Sequence, residues 1–148
     1  MVKLTSRQIG RCGELFVQYK LLSYGVDSSN LTVDVGIDLV AYSSIGGKPL
    51  KIQVKTSSPH SDRAGEKYLR WQIPEACPAD YIALVDLHRD KFWLIRTEEF
   101  KRKACRRTSG ELDLRMSFLG CESTRVKLKE EQFKEYEMDI AIPKVFGL

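Results

Sequence analysis

Long apolar runs are missing from this 148-residue sequence. No stretch approaches a membrane span, and Met1-Val2-Lys3-Leu4-Thr5-Ser6 lacks the character of a signal peptide, so no membrane association is expected. Cysteine is sparse: Cys12, Cys77, Cys105 and Cys121 lie far apart with no Cys-x-x-Cys pair. That spacing suggests neither a structural zinc site nor a disulfide framework, and makes a reduced, cytoplasmic setting the default expectation. The two histidines, His60 and His88, are not spaced as a ligand pair. There is no phosphate-binding glycine loop (Gly46-Gly47 reads as a hairpin turn), no Gly-x-Ser-x-Gly elbow, no repeat and no low-complexity segment. What remains is ordinary for a globular protein: 43% apolar and 30% charged residues give no case for global disorder. The length suits a single domain spanning residues 1–148. A net charge of +4 permits a nucleic-acid partner without demanding one.

Local patterning divides the chain. Thr5-Ser6-Arg7-Gln8 has capping-box chemistry and opens a predicted helix that stops near Gly25. Ile9, Cys12, Leu15, Phe16, Tyr19 and Leu22 recur at three- and four-residue spacings as its apolar face, with Glu14 beside that face. Residues 36–42 and 50–56 read as strands about a Ser/Gly/Pro turn, and residues 57–66 as an exposed loop. A third strand is expected at 67–73, a central strand buried on both sides at 81–87, and another at 91–96 after an Arg89-Asp90 turn. Trp71 and Trp93 fall on these strands and are expected in the core. Thr97 offers N-cap chemistry to a short helix that enters the run Lys101-Arg102-Lys103-Ala104-Cys105-Arg106-Arg107. The tail reads as helical around 129–136, and Pro143 argues against a helix running through to the end. Helix, strands, then helices imply an α/β or α+β domain built on one mixed sheet.

Chemistry concentrates at Asp38 and at Gln53-Val54-Lys55, with fourteen residues between. Side chains alternate along a strand, so Gln53 and Lys55 share one face while Ile52 and Val54 share the other. Pairing the two strands as a hairpin brings Asp38 near Gln53. A carboxylate, an amide oxygen and an ammonium then converge beside a buried sheet, where such groups are uncommon. An oxygen-ligand site for a hard cation such as Mg²⁺, with a lysine beside it, would give the arrangement a purpose. Strand alternation by itself accounts for Gln53 and Lys55 with no function at all. The basic run is similarly double: a solvated helix end, or a patch that grips phosphates. Arg63 and Lys67, flanking the loop, could reach a DNA groove in the same way.

The pattern Asp38-x14-Gln53-Val54-Lys55, preceded by Gly13-Glu14 on an amphipathic helix, resembles the PD-(D/E)XK nuclease superfamily. The likeness is good over residues 6 to about 58, extends more loosely toward residue 100, and is nearest to the Gln-bearing branch that includes small homing endonucleases. Holliday-junction resolvases are more loosely similar. Two departures stand out: Gln53 replaces the usual Asp or Glu, and Gly36-Ile37 stands where the name-giving proline would be. The resemblance implies a restriction-endonuclease-like fold, a mixed central sheet flanked by helices. It implies Mg²⁺-dependent hydrolysis of phosphodiester bonds, Mn²⁺ substituting, in double-stranded DNA by a homodimer or homotetramer. It assigns Asp38 as principal metal ligand and Glu14 as a second carboxylate. Gln53 would give a neutral oxygen and Val54 its backbone carbonyl, while Lys55 would orient the attacking water. Arg63, Lys67, Lys101, Arg102, Lys103, Arg106 and Arg107 would contact DNA. Because Gln53 removes one negative charge from the cage, a catalytically inactive module that binds DNA or a protein is the alternative; an RNA-processing nuclease is another.

Overall fold

The computed structural model describes residues 2–33, 35–43, 45–58, 60–61 and 65–148, with the side chains of residues 60 and 61 excepted. Helix α1 (Ser6–Ser23) begins as its sequence dictates. The Thr5 hydroxyl accepts the Gln8 N–H at 3.2 Å, and the Gln8 side chain accepts the Thr5 N–H at 2.8 Å, satisfying two donors that a helix start leaves over. Gly25, at φ +78, turns the chain out.

The buried face of α1 differs from the expected one. It is formed by Gly13, Val17 and Leu21, whereas Leu15, Tyr19 and Leu22 are 50%, 67% and 63% exposed and Cys12 is exposed. A close approach decides this. A Cβ on Gly13 would overlap the Thr56 hydroxyl and stand 3.2 Å from its Cβ, so only glycine lets the helix lie this near the sheet.

After α1 come β1 (Val26–Asn30), β2 (Leu39–Ser43), β3 (Leu50–Ser57), β4 (His60–Ser61), β5 (Lys67–Pro74), β6 (Tyr81–Asp86) and β7 (Lys91–Arg96). Then follow α2 (Thr97–Lys103), β8 (Cys105–Arg106), β9 (Glu111–Met116), a 3₁₀ helix (Glu130–Tyr136) and α3 (Met138–Phe146). The expected mixed sheet is present, in the order β1-β2-β3-β6-β7. Its strands pair antiparallel except β3 and β6, which run parallel with Val54 opposite Ala83. The central β6 is buried along all but its first residue. A second, antiparallel sheet, β4-β5-β9-β8, packs on the other side. Its β4 lies within the segment expected to be loop, and β9 alternates as Glu-Leu-Asp-Leu-Arg-Met, with Leu112, Leu114 and Met116 buried.

Each face of the mixed sheet closes over its own core. Val17 and Leu21 of α1 and Ala141 and Ile142 of α3 cover Leu39, Ile52, Val54, Val85 and Phe92. Between the sheets lie Leu69, Trp71, Ile73, Ile82, Leu84, Trp93 and Leu114, with the two indole rings edge-on at 5.9 Å. Burying one such side chain stabilises the fold by about 1.5–3 kcal/mol.

Two helix expectations are corrected. Thr97 is the first helical residue rather than the cap, and its hydroxyl donates instead to the Ala79 carbonyl at 2.7 Å. Pro143 lies inside α3, which continues to Phe146 and ends on Gly147 in the left-handed region. The missing N–H removes one helical bond, and the packing of Ala141 and Ile142 on the sheet outweighs it. Among the described residues no helix is long and apolar enough to cross a membrane.

Candidate active site

β2 and β3 pair over only three residue couples: Ala41 with Leu50, Val40 with Lys51, and Leu39 with Ile52. The last ladder bond runs from the Asp38 N–H to the Ile52 carbonyl, 2.9 Å. Beyond it the strands diverge, and the Asp38 carboxylate takes the place of the missing strand. Its Oδ2 accepts the Val54 N–H at 2.7 Å and the Gln53 side-chain N–H at 2.9 Å. Within a strand one residue's N–H and C=O point to the same side. The Val54 carbonyl therefore faces the edge that β2 has left.

Gln53 is only 7% exposed, and its Oε1 has no hydrogen-bond partner among the described residues. A buried amide oxygen left so costs about 1–3 kcal/mol, so its persistence calls for an explanation. Gly36, at φ +81, passes close by: a Cβ there would stand 3.0 Å from the Pro78 ring and 3.9 Å from Gln53 Oε1. Lys55, two residues along on the face of Gln53, is half-buried opposite Leu84 of β6 and forms no ion pair with a described residue.

Glu14 reaches the same end of the sheet from α1, next to the Gly13 that touches Thr56. Its Oε2 accepts from Arg11 at 2.8 Å and from the Asn30 side-chain amide at 3.3 Å. Asn30 is paired with Leu39, and the following Leu31 N–H donates to the Asp38 carbonyl at 3.3 Å. Asn30 thus ties the second carboxylate to the start of β2, which the first immediately precedes. No sequence signal singled it out, because β1 reads Val-Asp-Ser-Ser-Asn, with one buried residue in five.

Among the described residues no three His, Cys, Asp or Glu side chains gather as a metal cluster. The donors at this end of the sheet are two carboxylates, one amide oxygen and one backbone carbonyl. An all-oxygen set of that kind suits a hard cation. The orphaned Gln53 oxygen fits such an ion. At present the Gln53 nitrogen faces Asp38, so ligation beside Asp38 would require the amide to turn over and exchange its hydrogen bond for the ion.

Most of the described cationic residues expected to hold DNA have an acidic or aromatic partner. Lys67 is exposed at the start of β5, and Arg63 lies outside the described residues. Lys101 is 3.9 Å from Glu98, and Arg102 pairs with Glu99, both on α2 itself. The Lys103 ammonium lies 5.6 Å from the Phe133 ring centre, Arg106 pairs with Glu75, and Arg107 is 3.9 Å from Asp113. Lys103, Arg106 and Arg107 line a groove with Arg115, Arg125 and Lys127, three cations that the sequence pattern did not single out.

No protein-family model and no curated protein matches the sequence. In three dimensions the chain is similar to a solved bacterial homing endonuclease, I-Ssp6803I. The TM-score is 0.65 over 93% of this chain and 89% of that one, at 17% identity. Similarity of shape at that identity establishes the fold, a mixed sheet flanked by helices like that of the endonuclease.

Proposed function

We propose that this protein is a metal-dependent endonuclease of the Gln-bearing PD-(D/E)XK kind that hydrolyses phosphodiester bonds in double-stranded DNA. The observation that carries the reading is the Asp38 carboxylate, held at the divergence of β2 and β3 by Val54 and Gln53. The shared fold with a homing endonuclease supports it. Asp38 and Glu14 would hold a Mg²⁺ or Mn²⁺ ion together with the Gln53 oxygen and the Val54 carbonyl. Such an ion supplies Lewis acidity and lowers the pKa of a bound water.

The chain's own groups do the rest. Lys55, with three donors and no competing ion pair among the described residues, orients the attacking water and stabilises charge developing on the phosphate. Arg11 and Asn30 fix the Glu14 carboxylate. Gln53, neutral where an acid is usual, lowers the charge of the cage and with it the affinity for the ion. A single centre cuts one strand, so cleavage of both strands calls for a homodimer or homotetramer.

A second reading, a non-catalytic module that binds DNA or protein, is favoured by one feature: the Gln53 nitrogen, not its oxygen, faces Asp38. Incubating the protein with supercoiled plasmid separates the two. Nicking or linearisation with Mg²⁺ or Mn²⁺, abolished by EDTA, is the expected result. Salt-dependent binding without cleavage of any DNA target would favour the module, and degradation of structured RNA in preference to plasmid would move the substrate class.

A further inference from the structure

We propose that the groove beside β9 is a phosphodiester-backbone site, separate from the Asp38 centre, that seats the nucleic acid. The inference rests on the nuclease reading and gives it a binding surface. The groove has a volume of about 620 Å³ and runs between β8 and residues 125–128. The Ser117 N–H holds that segment to the end of β9 through the Leu128 carbonyl at 3.0 Å. Lys103, Arg106, Arg107, Arg115, Arg125 and Lys127 line it, with Val126 and Leu128 as apolar lining and Asp113 as the one acidic residue among the described residues that line it.

Asp113 explains why the cations stay in place. Its carboxylate, 4% exposed, takes Arg70 Nε at 2.8 Å and Arg115 Nε at 3.0 Å, with Arg107 at 3.9 Å. One carboxylate cannot neutralise three guanidinium groups. It fixes their planes and leaves positive charge and N–H donors in excess. On the opposite wall neither Arg125 nor Lys127 has an ion pair with a described residue. An anion laid along the groove relieves this imbalance. Guanidinium forks bind phosphate oxygens in pairs, and a polymer of phosphates can engage both walls at once.

The test compares wild type with Arg125→Gln/Lys127→Gln. Fluorescence anisotropy with a labelled duplex oligonucleotide is followed in EDTA across a KCl series. Each lost phosphate contact flattens the plot of log K against log salt by about 0.9, so the double variant should lose between about 1 and 2 from the slope. Its melting temperature should stay that of the wild type, since neither side chain is paired with a described residue. Arg115→Gln should flatten the slope as well. An unchanged slope in both variants, with the wild type binding DNA, overturns the groove and leaves the nuclease proposal to the plasmid assay. Polyglutamate competing as well as DNA at equal charge overturns it in favour of an acidic protein partner. Plasmid cleavage by a wild type whose DNA affinity is indifferent to salt overturns the groove alone.

Discussion

Gln53 donates its side-chain N–H to the Asp38 carboxylate at 2.9 Å, across the gap where β2 leaves β3. The bond joins two residues of the proposed site that lie fifteen positions apart, and it sets what each substitution should do.

Gln53→Glu replaces this donor with a second carboxylate. Without metal the two like charges repel, one pKa rises, and the fold should lose about 1–3 kcal/mol. Mg²⁺ or Mn²⁺ should then raise the melting temperature of the variant more than that of the wild type, since ligand binding stabilises the state that binds it. Equal shifts in thermal melts with and without metal would count against Gln53 as a ligand.

Gly13→Ala places a methyl group against Thr56. Overpacking of that kind costs about 1–3 kcal/mol, and moving α1 off the sheet also moves Glu14. Both stability and cleavage should fall. Gly10→Ala, with nothing within 4 Å of the new methyl, is the control and should be neutral or stabilising. Urea denaturation of the pair reads the difference.

Lys55→Met keeps the length of the side chain and removes the ammonium. Cleavage should drop about 10²-fold or more, in line with loss of a group that stabilises transition-state charge, while binding measured in EDTA changes only a few-fold. Parallel losses in both would make Lys55 a binding residue only.

Glu130 should give the fold a pH dependence. Partial burial pushes its carboxyl up, but hydrogen bonds from Lys91 at 2.7 Å and Arg89 at 2.9 Å outweigh this and hold its pKa below the ordinary value. A lowered folded-state pKa adds stability above the unfolded carboxylate pKa, and that stability is lost as pH falls through the folded value. At neutral pH Glu130→Gln should cost about 1.5–3 kcal/mol. Melting curves of variant and wild type should converge in acid; a constant gap would contradict the assignment.

What was legible in the sequence is what local chemistry decides. The Thr5–Gln8 cap, the Gly25 stop, the hairpin that brings Asp38 to Gln53, and the buried Trp71 and Trp93 all follow from neighbours along the chain. The inward face of α1 was misread because Leu15, Tyr19 and Leu22 outweigh Gly13, Val17 and Leu21 in apolar bulk. The choice between these stripes depends on how near Gly13 can bring the helix to Thr56, a contact 43 residues away in the chain. β1 and β9 went unseen for a related reason: β1 is specified by pairing with β2, and Asp113 and Arg115 on β9 make sense only once Arg70 and Arg107 lie beside them. At the proposed site, the spacing of Asp38 and Gln53 and the helical place of Glu14 were legible in the sequence; the Asn30 bridge was not.

The most direct measurement is cleavage of supercoiled plasmid by wild type and Asp38→Ala side by side, in saturating Mg²⁺ and again in Mn²⁺. Nicked or linear product is expected from the wild type alone, with Asp38→Ala still folded by thermal melt. Equal cleavage by the two proteins would place the chemistry elsewhere in the chain and contradict the account.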